Sequence, residues 1–340
     1  SLGFFGKLIG ERNVDTQQVM QRSLQLATRQ PATADSTYFR MTLLLEAGRY
    51  DEAVRDLCRT GWDLMFHGGV KTVLRLCSAF PPAFAQHSAE LQQVAGMASW
   101  HLWKATTAQR HLARAEALFT ARGDTTGALN ARGQLAVIQV AMGRLEAAHR
   151  LLERLRDAPR GSKAEVLTRL CDTWVAMEAG RFDLVAQRFE ALLDTLERED
   201  SLEHWTLVVP SPRLTACRGV APLLSRWADG VLAVTGERPL PLQALALLTR
   251  GWQALWQGRR EDAADWLAQA DASAQWTGRH VIARSHALAL RSLLHALNGE
   301  PAQALEAART RIEEFPGTYG DWGLWHMQFF ACRMAGTCQD

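Results

Sequence analysis

The chain is short of lysine, of paired cysteines and of long apolar runs, and each shortage removes a class of function. Lysine stands only at positions 7, 71, 104 and 163 among 38 basic residues, and no block of five like charges occurs. With 36 acidic residues the formal net charge is +2. Such a balance carries no basic stripe for a phosphate backbone or an anionic lipid surface, so direct nucleic-acid binding and membrane binding are not expected. The six cysteines, Cys58, Cys77, Cys171, Cys217, Cys332 and Cys338, are scattered and form no Cys-x-x-Cys pair. That pattern reads as free thiols in a reducing compartment. No apolar run reaches the length of a membrane span. The opening Ser1 to Gly10 is apolar but short, without the basic leader and small-residue cleavage site of a secretory signal. The expected location is therefore cytoplasmic.

Catalytic signatures are missing as well. There is no Gly-x-Ser-x-Gly elbow, no His-Glu-x-x-His pair and no glycine-rich phosphate loop after a strand. Gly317 to Gly323 is glycine-rich, but it reads as a loop between two helices. The ten histidines are dispersed. His280 and His286 are six apart and His286 and His295 nine apart, spacings that put neither pair on one helical face as metal ligands. Glu199-Asp200 and Glu313-Glu314 fall at helix ends, where solvation explains them. No catalytic residue, metal or cofactor is expected.

What the sequence does contain is a repeated string. A small or apolar residue, a glycine, a polar residue and then an acidic and a small apolar residue recur. The copies are Ala47-Gly48-Arg49-Tyr50-Asp51-Glu52-Ala53, Met142-Gly143-Arg144-Leu145-Glu146-Ala147-Ala148 and Ala179-Gly180-Arg181-Phe182-Asp183-Leu184-Val185. Looser copies begin at Gln257-Gly258 and Asn298-Gly299. The glycine suits a left-handed helix C-cap, and the acidic residues face the positive end of the next helix dipole. Each string therefore predicts helix, tight turn, helix.

The spacing sets the class. Gly143 to Gly180 is 37 residues, Gly258 to Gly299 is 41, and Gly180 to Gly258 is 78, which leaves room for one hidden unit. Trp103-Lys104 stands where a turn falls 40 residues before Gly143, and Gly68 stands 35 before Trp103. These periods suit tetratricopeptide-like helix pairs. Small residues recur seven before each turn (Gly61, Gly96, Ala136, Thr173, Gly251, Ser292), and small or β-branched ones five after (Val73, Ala108, Ala148, Val185, Ala263, Ala304). Paired helices cross closely at those places. The expected fold is all-α, a right-handed superhelical solenoid of antiparallel helix pairs. Residues 1–36 are expected to hold one helix near 15–28. Repeats then fill 37–198 and 220–340, the last helix near 321–335. Between them 199–219, broken by Pro210 and Pro212, reads as an irregular connection or degenerate repeat.

One passage is more specific. Glu46 to Val54 is followed by Gly61-Trp62-Asp63-Leu64-Met65-Phe66-His67-Gly68-Gly69, then by Leu74-Arg75-Leu76-Cys77-Ser78-Ala79-Phe80-Pro81-Pro82. The Trp100-bearing helix and His111 to Leu118 complete it. This resembles the superhelical domain of MalT-like regulators, large ATP-dependent bacterial transcription activators of the LuxR type. Phe80 stands where that family has Leu before Pro. The resemblance implies an effector-sensing or partner-binding domain. The ATP-binding phosphate loop and the DNA-binding helix-turn-helix of that family have no counterpart in this sequence. No ligand contact carries over by motif.

Tryptophan is abundant, at twelve residues. In a helix-pair solenoid the first helix of each pair lines the concave wall. Positions three, six, ten and thirteen before each turn then face the groove. Glu90, Gln93, Met97, Trp100, Asn130, Trp174, Trp252 and His286 fall there. Tryptophan rings in a groove can stack on a sugar, an aromatic effector or a peptide; packing between repeats is the competing reading for each ring. Arg132, Arg169 and Arg250 form a candidate basic rim. Two functions stay open: a sensor of a small-molecule effector, and a stand-alone scaffold for a peptide or partner helix, with self-association as a further mode.

Overall fold

The computed structural model describes residues 34–66, 69–210, 214, 217–236, 240–276 and 281–314. The helices expected near 15–28 and 321–335 lie outside these residues, as do Gly68, Gly317 to Gly323, Cys332 and Cys338. Among the described residues the regular elements are helices and no strand occurs. They run α1 (Ala34–Glu46), α2 (Tyr50–Phe66), α3 (Val70–Ser78), α4 (Pro82–Ala85), α5 (Ala89–His101), α6 (Ala105–Ala121), α7 (Thr125–Ala141) and α8 (Leu145–Glu153). Then follow α9 (Lys163–Glu178), α10 (Phe182–Glu199), α11 (Leu202–Trp205), α12 (Ala221–Thr235), α13 (Pro241–Trp256), α14 (Arg260–Trp276), α15 (Val281–Leu297) and α16 (Pro301–Glu314). The architecture is an all-α solenoid of antiparallel helix pairs. The four-residue helices α4 and α11 are too short to show periodicity and escape the sequence reading.

The repeated string works as its chemistry requires. Gly48, Gly143, Gly180, Gly258 and Gly299 all take φ between 69° and 77°. At each, two reversed hydrogen bonds close the helix; the Gly143 N–H donates to the Val140 carbonyl and the Arg144 N–H to that of Gln139. This satisfies carbonyls that the helix end leaves open. Trp103 replaces the glycine in one turn and takes φ 56°, with the same pair of bonds to Trp100 and Ser99. Three helices that no string precedes are capped by a side chain instead. Ser88, Asp124 and Ser162 accept from the backbone N–H three residues on, at 3.3, 2.9 and 3.2 Å.

Close crossings follow the small residues. Val73, Ala108, Ala148, Val185, Ala263 and Ala304 are all fully buried. A methyl on Gly96 would sit 2.7 Å from Leu112 Cγ, and one on Gly251 would sit 2.8 Å from Leu290 Cδ2. Within each pair the two helices pack together, and the first helices of successive pairs also touch: α5 on α7, α7 on α9, α13 on α15. These first helices form the inner layer.

Two apolar clusters make up most of the core, one over Met41 to Ile138 and one over Ala136 to Leu294, with Trp100 packed against both. The second runs straight through the irregular connection. Trp205, Val208 and Leu214 are buried there. The Trp205 ring lies so close on Gly230 of α12 that a Cβ at that glycine would meet it at 2.2 Å. The repeats on either side of 199–219 thus share one core.

Candidate functional site: a tryptophan-walled cavity

A cavity opens where the inner layer curves. Its unfilled space is about 1050 Å³ with the solvent-open mouth included, of which about 110 Å³ admits the centre of a water-sized body. The walls come from sequence-distant elements. Trp62 of α2, Met97, Trp100 and His101 of α5 and Trp103 of the following turn form one side. Gln134, Val137, Ile138, Val140 and Ala141 of α7 adjoin Leu167, Leu170, Trp174, Met177 and Glu178 of α9. Thr206, Leu207, Val209 and Pro210 come from the irregular connection, and Ile282 and His286 from α15. The lining is mostly apolar and contains no lysine or arginine.

Aromatic groups set its character. The Trp100 and Trp103 rings stand 5.1 Å apart and inclined by 49°. The turn geometry explains that pair: the left-handed residue reverses the chain and brings the ring of Trp103 back beside the last turn of α5. The indole Nε1–H groups of Trp103 and Trp174 are buried and have no hydrogen-bond partner. A buried donor without a partner loses its water bond and gains nothing in return. His101 and His286 are both buried. Burial pulls the His101 imidazole down to about 4. His286 is pulled down to about 3, by burial first and by the Arg311 charge second. Both rings are neutral at pH 7. Glu178 is the single carboxylate of the lining.

The eight groove candidates divide. Met97, Trp100, Trp174 and His286 come together around this cavity. Glu90 lies elsewhere, beside an open depression between α2, α4 and α5, where it pairs with Arg122 at 2.6 Å. Gln93 donates from Nε2 to Gln134 Oε1 at 3.4 Å, one step behind the wall. Asn130 is half-buried on α7 and borders no part of the cavity. Trp252 is the clear departure from the expected groove. It is 1% exposed within the core, because α12 and α15 both pack against α13 and cover its ring. The candidate rim is neutralised: Arg132 pairs with Glu116 at 2.8 Å, Arg169 with Glu165 at 2.9 Å and Arg250 with Asp229.

Sequence reasoning missed Trp62, His101, Trp103 and the 206–210 wall. Trp62 stands six residues before the Gly68 turn, a groove position that the candidates leave out. His101 and Trp103 follow Trp100 so closely that one helical face does not hold all three. Among the described residues no group of three His, Cys, Asp or Glu side chains is placed to hold a metal ion. No described helix is long and apolar enough to cross a membrane. Among the described residues Cys58, Cys77, Cys171 and Cys217 form no disulfide. Burial pushes Cys77 up to about 12 and Cys58 up to about 11, which leaves both as inert thiols.

No protein-family model matches the chain, and no curated relative matches it. Among solved structures it is similar to a tetratricopeptide repeat protein from Parabacteroides merdae. The identity is 10% and the TM-score 0.35, over 93% of this chain and 90% of that one.

Proposed function

We propose that this chain is a non-catalytic binding solenoid that takes a small organic effector into the cavity between α5, α7, α9 and α15. The observation that carries the reading is the unfilled apolar space itself, walled by four tryptophans from separate elements. Well-packed interiors leave few voids larger than a water molecule, and an apolar space with a few polar groups is the usual form of a small-molecule site. The resemblance of Glu46 to Leu155 to MalT-like superhelical domains supports the finer reading, the effector-sensing part of a transcription regulator. An effector seated here touches α5 and α15 at once, so its binding free energy bears on the curvature between early and late repeats.

The alternative is a scaffold for a peptide or partner helix. The 206–210 segment and α15 already stand against the inner layer at this cavity, and they leave less room for a helix than for a small molecule. Thermal melting against a panel of sugars and small aromatic metabolites separates the readings. One ligand at saturation is expected to raise the melting temperature through linkage, and Ala141→Trp, which fills the wall, is expected to abolish the rise. A rise that survives Ala141→Trp, or no rise across the panel with a discrete protein partner in its place, defeats the effector reading.

A further inference from the structure

We infer that the ligand of this cavity is a compact apolar ring compound and not a carbohydrate. This rests on the cavity being a binding site and adds the chemistry of what it binds. Tryptophan walls alone do not decide between the two classes, because an indole face can stack on either. The polar groups around the rings decide.

Surface and polarity fall on different side chains here. Among the described lining residues the half-buried ones are the four tryptophans, Ala141, Leu207, Val209 and Glu178. Seven apolar side chains thus stand against one carboxylate. The other polar side chains, His101, Gln134, Thr206 and His286, are each at most 8% exposed. Most of them are engaged already. Thr206 Oγ1 donates to the Glu203 carbonyl at 2.7 Å, and Gln134 Oε1 accepts from Gln93 Nε2 at 3.4 Å. His101 and Glu178 have interactions of their own. The indoles add no polar contact, since less than 1 Å² of the Trp103 or Trp174 Nε1 is accessible. Both rings therefore offer carbon to the cavity.

A sugar brought into such a space gives up water at its hydroxyls and regains few partners. Each hydroxyl buried without one lowers affinity roughly tenfold. An apolar ring gives up no hydrogen bond and gains by leaving water. Size points the same way. The inner space of about 110 Å³ is of the order of the roughly 150 Å³ apolar cavity that stays dry and takes up benzene. One ring fits there, and a second extends toward the mouth.

Equilibrium dialysis of the wild-type chain at pH 7 against naphthalene, 2,6-dihydroxynaphthalene and glucose tests this. The diol carries a hydroxyl at each end, so either orientation buries one. Naphthalene is expected to bind about tenfold more tightly than the diol, and at least about a thousandfold more tightly than glucose. Gln134→Leu and Thr206→Val delete polar groups while nearly keeping volume. Each is expected to leave naphthalene binding within about twofold, whereas Ala141→Trp is expected to abolish it. Far-ultraviolet circular dichroism verifies the fold of each variant, and the wild-type series stands without any variant. Glucose or the diol binding as tightly as naphthalene, and displaced by Ala141→Trp, overturns the ligand class and leaves the cavity reading intact. Loss of naphthalene binding in folded Gln134→Leu or Thr206→Val does the same, because polar groups would then hold the ligand. Binding by none of the probes, or binding that survives in folded Ala141→Trp, overturns the cavity reading and the ligand class with it.

Discussion

Around α12 and α13 the tryptophans are filler; around α5, α7 and α9 they are wall. Trp227 and Trp252 are buried within the large apolar cluster. Trp100, Trp103 and Trp174 are only partly buried against the same cluster and border unfilled space. Composition does not separate the two sets, because both pack in or against the same apolar cluster. What differs is the neighbour. At α13 two helices, α12 and α15, close over the face. At α5 and α9 the irregular connection and α15 approach without filling the gap. The same residue type thus gives stability in one region and a candidate site in the other.

That contrast can be broken by measurement. The largest expected effect is truncation in the solid region. Trp227→Ala or Trp252→Ala is expected to cost about 3–5 kcal/mol in urea unfolding. Trp174→Ala is expected to cost about half as much, since its ring already borders empty space. Equal losses at all three positions would erase the distinction.

Acid comes next. His101 and His286 are neutral in the fold, with folded values of about 4 and about 3, below the ordinary imidazole value near 6.5. Their contribution is fully present above about pH 6.5. It is lost as pH falls toward the folded values, because the unfolded chain takes up protons that the buried rings refuse. At pH 5 the loss is about 2 kcal/mol for each histidine. The melting temperature is therefore expected to fall between pH 7 and 5, and His286→Gln should flatten that fall by about half. An unchanged slope in the variant would remove His286 from the account.

The smallest effect is one of filling. Ala254, 0% exposed in α13, has no space beside it, and Ala254→Leu is expected to cost about 1–3 kcal/mol through overpacking. Ala141 borders the cavity, so Ala141→Leu is expected to leave stability unchanged or raise it by up to ~1 kcal/mol. Matching losses would mean that the cavity is closed in solution.

The fold was legible because its determinants are local. Gly48, Gly143, Gly180, Gly258 and Gly299 mark their turns through a backbone angle that few other residues take. Ala108, Ala148 and Ala263 mark the crossings through size. Even the glycine-free turn at Trp103 was readable from period alone. The site was legible only where it lies on the inner face of one helix, as with Met97, Trp100 and Trp174. His286 joins them because α15 keeps the same register. Trp62 shares that register, whereas Val209 and Pro210 reach the cavity from the irregular connection, where no repeat pattern runs. Trp252 was misplaced for the complementary reason: nothing near Trp252 in sequence announces the helix that covers it.

Trp103 holds two tasks at one position. The other turns of this kind use glycine, which enters the left-handed region without steric cost, whereas a side chain with a Cβ meets a penalty there of roughly 1–2 kcal/mol. The chain thus retains a locally unfavourable backbone where an aromatic wall is needed. Trp103→Gly would relieve the turn while opening the wall, so a search for stabilised variants would tend to select it and lose the pocket in doing so. Selection for thermal stability and selection for ligand capture pull in opposite directions at that residue.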